Sequence, residues 1–215
     1  MPRLTETLAR RAVERTYADR QVEYTQEMQR ILEATYDYIE RTGSLEPSLR
    51  DILRHSGLST QGFYRYFRSK DELILVLLDD GRRRLVEYLT HRMQAATSPE
   101  AKIRAWVEGV LAQASNPRAA ARTRPFVANE DRLWELFPDE QRESIDLLVT
   151  VLADALAEAP GSSRADARRN AESIYHLVFG ALHLHLLLRT RPSRGEIEHA
   201  VRFSLRGAGL PVEEG

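Results

Sequence analysis

Twelve consecutive residues, 59–70, hold Ser59, Thr60, Gln61, Tyr64, Arg65, Tyr66 and Lys70. Their hydroxyls, carboxamide and cationic groups share one chemistry, the donation of hydrogen bonds to anionic or polar partners. They close a basic stretch in which Arg41, Arg50, Arg54, Arg65, Arg68 and Lys70 face only Glu46 and Asp51. Such a stretch suits a polyanion and equally a solvated charge cluster, and the net charge of −1 leaves any such contact to a local patch. A second constellation comes later, in Trp106, Val110, Phe126, Trp134, Phe137, Tyr175 and Phe179 with His176 and His183. It suits either ordinary core packing or the wall of a mostly apolar small-molecule pocket. His176 and His183, seven apart, are expected on one helix face, with roles open among ligand contact, core hydrogen bonding and, last, a metal.

Chemistry of other kinds lacks its residues. Without cysteine the chain has no disulfide, zinc–thiolate site or thiol nucleophile. Nor does it show a nucleophile motif, a phosphate-binding glycine loop or metal-ligand spacing, so no enzyme, cofactor or metal site is expected. Apolar stretches are broken by His or Asp, as in Leu182-His-Leu-His-Leu186 and Leu77-Leu-Asp79, short of the ~18–20 residues of a membrane span. Met1-Pro-Arg-Leu4 leads into mixed charge without an apolar signal core, and a cytoplasmic location is expected.

The elements that position these residues all read as helices. Apolar residues recur at spacings of three and four, and hairpin turn signals are missing. A first helix over about 24–41 carries Met28, Ile31, Leu32, Thr35, Tyr36 and Ile39 on one stripe, with Gly43 beyond its end. Ser48 caps a short helix whose Leu49, Ile52 and Leu53 face inward. After Ser56-Gly57-Leu58-Ser59 comes another, with Phe63 and Phe67 inward and Thr60, Gln61, Gly62, Tyr64, Arg65 and Tyr66 outward. Ser69-Lys-Asp-Glu72 is a capping box for a fourth helix to about 95, with Gly81 as a bend. Ser98-Pro99 and Asn116-Pro117 start two further helices, while Pro125, Pro138 and Pro160-Gly161 mark breaks. Long helices over about 139–158 and 164–189, and a last one over about 193–206, complete an all-α chain. The reading divides it into a basic arm at 1–20, a helix-turn-helix domain at 21–73 and a helical domain at 74–215.

The run from Ser48 to Leu73 resembles the DNA-binding region of the TetR family of regulators. Asp51-Ile52, Gly57-Leu58-Ser59, Tyr64-Arg65-Tyr66-Phe67 and Ser69-Lys70…Leu73 carry the resemblance. Over about residues 24–78 the match is close; beyond that it extends only to length, helical content and two long late helices. A helix-turn-helix places one face of its second helix in the major groove while the other face holds the core. The resemblance implies that Ser48, Tyr64, Lys70 and amides near Ser59 contact phosphates, with Arg50 and Tyr66 beside the backbone. Thr60, Gln61 and Arg65 become candidates for base edges, Gln for adenine and Arg for guanine. Gln61-Gly62 departs from the family's Gly followed by a small residue, which shifts the reading surface.

It further implies a bacterial repressor that binds a palindromic operator in double-stranded DNA as a homodimer, released by a small hydrophobic effector; the alternative is a helical ligand-binding or interaction protein of the same fold without specific DNA binding. Two recognition helices must reach half-sites about 34–36 Å apart. The stripes Ile145, Leu148, Val149, Leu152, Leu156 and Ile174, Leu177, Val178, Ala181, Leu182 fit a dimer bundle or an intrachain core. Arg10, Arg11 and Arg15 fit a minor-groove arm or a solvated tail. The fourth helix joins the two regions, and its Asp79-Asp80 and Arg82-Arg83-Arg84 blocks beside Gly81 are the expected place of movement.

Overall fold

A computed structural model describes residues 24–212, and within them every regular element is helical. The expected arm at residues 1–20 lies outside the described residues. Contacts divide the chain into one unit ending at Leu73 and another beginning at Ile74.

In the first unit, α1 carries residues 24–42. Its stripe buries Ile31, Leu32, Tyr36 and Ile39, and the buried Thr35 hydroxyl donates to the Ile31 carbonyl at 2.7 Å, so that hydroxyl is not left orphaned. Ser48 caps α2 (Leu49–Ser56) by accepting from the Asp51 amide, and Gly57 ends it at φ 71° with its N–H on the Leu53 carbonyl. That left-handed turn costs glycine little and would strain any side chain. Two residues later Ser59 caps α3 (Thr60–Tyr66) through the Gly62 amide. Phe63 and Phe67, one helical turn apart, are fully buried with ring centroids 5.4 Å apart, which fixes the rotation of α3 about its axis.

Helix α4 (Lys70–Gln94) crosses the boundary and belongs mostly to the second unit. Glycine at 81 does not interrupt it, because a single helical glycine costs only about 1 kcal/mol against alanine. At its start Ser69 accepts from the Glu72 amide, and the Glu72 carboxylate takes the Arg68 N–H, one residue earlier than the expected box requires. The second unit continues with α5 (Pro99–Ser115), α6 (Pro117–Val127), α7 (Glu130–Leu136), α8 (Pro138–Ala157), α9 (Arg164–Leu188) and α10 (Arg194–Gly207). Ser98, Asn116, Ser163 and Ser193 each cap a start with a side-chain oxygen.

Proline 125 does not break the chain as expected but sits inside α6. In the last turn its missing N–H forfeits one bond, the Ala128 amide still reaches the Arg124 carbonyl at 2.9 Å, and Asn129 Nδ2 donates to the Pro125 carbonyl. Helix α7, seven residues long, is too short to show a period in the sequence.

Helix α9 packs most extensively on α8 and α5, and α10 packs on α5. Leu148, Val149, Leu152 and Leu156 of α8 and Ile174, Val178 and Leu182 of α9 are buried within the single chain. Those expected stripes are therefore chiefly intrachain core, although Leu177 is exposed. Gly109 sets the closest approach between α4 and α5, since a Cβ there would lie 2.6 Å from Leu89 Cδ2. Helix α9 is also long and apolar enough to cross a membrane by length and composition, but its Ala171, Ile174, Val178, Leu182 and Leu186 pack into the core.

Candidate functional site

Because Phe63 and Phe67 face the core, α3 turns Thr60, Gln61, Tyr64 and Arg65 outward. Tyr64 is 56% exposed, its ring edge-on to Phe63 at 5.3 Å, so it rests on the core and leaves its hydroxyl in solvent. Lys70 is exposed at the first position of α4, and Arg50 and Ser59 are exposed as well.

Four of the expected contact residues are turned inward or already hold a partner within the chain. Gly62 is buried rather than outward, because a Cβ on it would point at Leu58 and Ser59 at 3.5–3.7 Å. Tyr66 is half-buried, and its hydroxyl donates to Glu27 Oε2 at 2.5 Å. Arg65 lies 3.5 Å from the same carboxylate and 5.7 Å over the Tyr24 ring. Ser48 spends its hydroxyl hydrogen on Asp51 Oδ2 at 2.6 Å, so a phosphate must compete with that carboxylate for it. That bond is also the main reason the Asp51 carboxyl is held below its ordinary range. Burial, then hydrogen bonding to Glu27, pushes the Tyr66 phenol up to about 12. Glu27 is the residue that sequence reading missed: it organises two side chains almost forty positions away, and no local pattern signals such a pairing.

The second constellation separates in space. Phe179 stacks on Tyr175 at 4.3 Å and is approached by Trp106 at 6.2 Å and edge-on by His183 at 6.0 Å. Val110 lies in the same buried core, whereas Phe126 is buried outside it and Phe137 is half-buried where α7 gives way to α8. Trp134 joins through Glu130, which hydrogen bonds to it and pairs with His183 Nδ1 at 3.3 Å. The His183 bond is the first cause of the lowered Glu130 pKa. His176 is exposed, meeting Tyr175 edge-on, while His183 is half-buried. Two charged residues outside the expected pocket set, Arg82 of α4 and Glu130 of α7, lie close enough to act on Tyr175 electrostatically. No group of three His, Asp or Glu side chains able to hold a metal occurs among the described residues.

Residues 31–77 match the model of the family described as bacterial regulatory proteins, tetR family. Solved structures with a similar fold include a TetR-family transcriptional regulator from Mesorhizobium loti, 16% identical with a TM-score of 0.67 over 86% of this chain and 96% of that one. A TetR transcription regulator from Haloarcula marismortui is 21% identical with a TM-score of 0.67, over 86% and 97% of the two chains. NemR of E. coli in its reduced form is 19% identical with a TM-score of 0.64, over 84% and 96%.

Proposed function

We propose that the chain, whose residues 31–77 match the tetR family of bacterial regulatory proteins, is a transcriptional regulator of that family, a repressor binding a palindromic operator as a homodimer and released by a small molecule. One observation carries the reading. Helix α3 is locked by Phe63 and Phe67 with Gln61 and Tyr64 outward, the presentation a major-groove helix needs. In this reading Tyr64 and Lys70 hold phosphates, Thr60 and Gln61 reach base edges, and Arg65 does so after leaving Glu27. Ser48, Arg50 and Ser59 border the backbone, Tyr66 instead anchors α3 to Glu27, and Gly62 lets Leu58 close over the turn.

The dimer reading draws on α9. Leu177, Leu184, Leu187 and Leu188 are exposed at 39–63%, and the Gly180 between them has open space where a side chain would stand. A second copy covering that stripe would remove apolar area from water, and the glycine would let helices approach closely. The effector reading draws on the aromatic cluster around Phe179. An effector shifts operator affinity only if it binds the released state more tightly than the bound one. Helix α4 carries Arg82 of that region and begins with Lys70, and in this reading it transmits the change.

A mobility shift of the full chain on DNA from its own upstream region, with competitor and a salt series, tests the proposal. Protection of a two-fold site, with steep loss of affinity at higher salt, is the expected result. Shifts that competitor abolishes at every salt concentration would overturn it.

A further inference from the structure

In the second unit, Arg82 of α4 is a cation largely withdrawn from solvent with one donor unspent. Its Nη1 is shielded from solvent and has no hydrogen-bond partner. The acidic groups its charge meets are Glu130 and Asp79, with the Tyr175 phenol beside them. Both carboxylates are engaged: Asp79 accepts from Arg83 Nε at 2.7 Å, and Glu130 holds His183 and Trp134. A guanidinium withdrawn from water in this way keeps an unspent donor and an incompletely answered charge.

The surroundings add a second unspent donor. Trp106 is fully buried and its Nε1 has no partner, and its ring meets Phe179, which stacks on Tyr175. Burial keeps the Tyr175 phenol protonated to about pH 12, so at neutral pH its hydroxyl can donate. Two orphaned N–H groups, a phenol and aromatic walls make a set rich in donors and in apolar surface.

We propose that this cluster binds an organic carboxylate with an apolar body, the carboxylate on Arg82 and Tyr175 and the body against Phe179 and Trp106. The inference rests on reading the second unit as the effector domain and names the class of effector. A neutral ligand would leave the guanidinium as it is, and an amine would be repelled by it. A carboxylate instead gains charge-assisted hydrogen bonds in a weakly screened setting.

Trp106 and Trp134, the chain's two tryptophans, both belong to this region and report on it by fluorescence without DNA. The full chain would be titrated with 4-phenylbutyrate and decanoate, each against its primary alcohol. The acids should bind at least about tenfold more tightly than the alcohols. In Arg82→Gln that preference should vanish, and in Arg82→Lys it should survive in part, with circular dichroism confirming the fold. The acid–alcohol comparison on the unaltered chain needs no variant, so a misfolded Arg82→Gln leaves the test intact. Equal binding of acid and alcohol, acid binding indifferent to Arg82→Gln, or no response to any of the four at millimolar concentration would each overturn the assignment. Mobility shifts in parallel separate the two readings. Acids that bind through Arg82 yet leave the operator complex intact support the site and sink the effector role. Release by the alcohols alone keeps the effector role and sinks the carboxylate site.

Discussion

The phenol of Tyr66 donates to Glu27 Oε2 at 2.5 Å, tying the end of α3 to α1 across 39 residues of sequence. Glu27 is only 15% exposed, so the bond is sheltered, and the same carboxylate holds Arg65 at 3.5 Å. The recognition helix is thereby fixed at its C-terminal end by hydrogen bonding as well as by Phe63 and Phe67. Tyr66→Phe should lower stability by about 1 kcal/mol in urea unfolding, the usual scale for one hydrogen bond. It should leave operator affinity nearly unchanged, because the phenol faces Glu27 rather than a phosphate.

The same bond gives an alkaline signature. The Tyr66 proton is held to about pH 12 in the folded chain against an ordinary value of 10. Its stabilising contribution is whole below pH 10 and drains away as pH rises towards 12. Tyr175 is raised in the same direction. A pH series of unfolding midpoints should therefore fall less steeply above pH 10 in Tyr66→Phe than in the unaltered chain, while retaining the share due to Tyr175. Identical slopes would show that the phenol is not so held.

The Tyr64 hydroxyl and Lys70 are predicted to act on operator DNA without supporting the fold. Lys70 is exposed, and phenylalanine at 64 keeps the ring on Phe63, so Lys70→Ala and Tyr64→Phe should each change stability by no more than about 0.5 kcal/mol. Each should weaken operator binding several-fold on all sequences alike, and Lys70→Ala should flatten the slope of log K against log salt by about one. Gln61→Ala should differ in kind, relaxing preference at one base pair by about 1–3 kcal/mol. A selection experiment on randomised half-sites distinguishes the two behaviours.

Which parts of this arrangement could be read from the chain follows from the range of the forces involved. Ser48, Ser59, Ser98, Ser163 and Ser193 cap helices within three residues of themselves, so their positions are legible as spacing. Phe63 and Phe67 orient α3 through the helical period alone. Proline 125 misled because its effect depends on where in a helix it falls, which the rest of α6 decides. Glu27 on Tyr66 and Arg82 near Tyr175 are set by packing between distant segments, and Glu27 looks like any solvated acid in the sequence. The stripes of α8 and α9 had a readable period but no readable partner. Burial assigns most of them to the chain's own core and leaves Leu177, Leu184, Leu187 and Leu188 exposed.

That exposed set yields the prediction for assembly. Leu184 is 56% exposed and so contributes little to the fold of one chain. Leu184→Glu should halve the mass in sedimentation equilibrium while leaving the far-ultraviolet spectrum unchanged, because a carboxylate in an apolar interface meets a large desolvation cost. Operator affinity should drop with it, since two half-sites must be held at once. A variant that stays dimeric would place the interface on another face.

Helix α9 ends on Arg189 at φ 56°, ψ 35°, a left-handed conformation adopted by a residue with a Cβ. The strain is outweighed locally, since the Thr190 N–H reaches the His185 carbonyl at 3.0 Å and the Thr190 hydroxyl meets His185 Nδ1 at 2.8 Å. Glycine takes this conformation without strain, worth about 1–2 kcal/mol. Its greater freedom in the unfolded chain removes about 0.5–1 kcal/mol of that gain. Arg189→Gly should thus stabilise the chain by about 0.5–1 kcal/mol, while Arg189→Val should destabilise it, because a β-branched side chain is the worst fit to positive φ. Urea midpoints at constant m-value measure both, and a loss of stability in the glycine variant would show that the arginine side chain contributes more than its backbone costs.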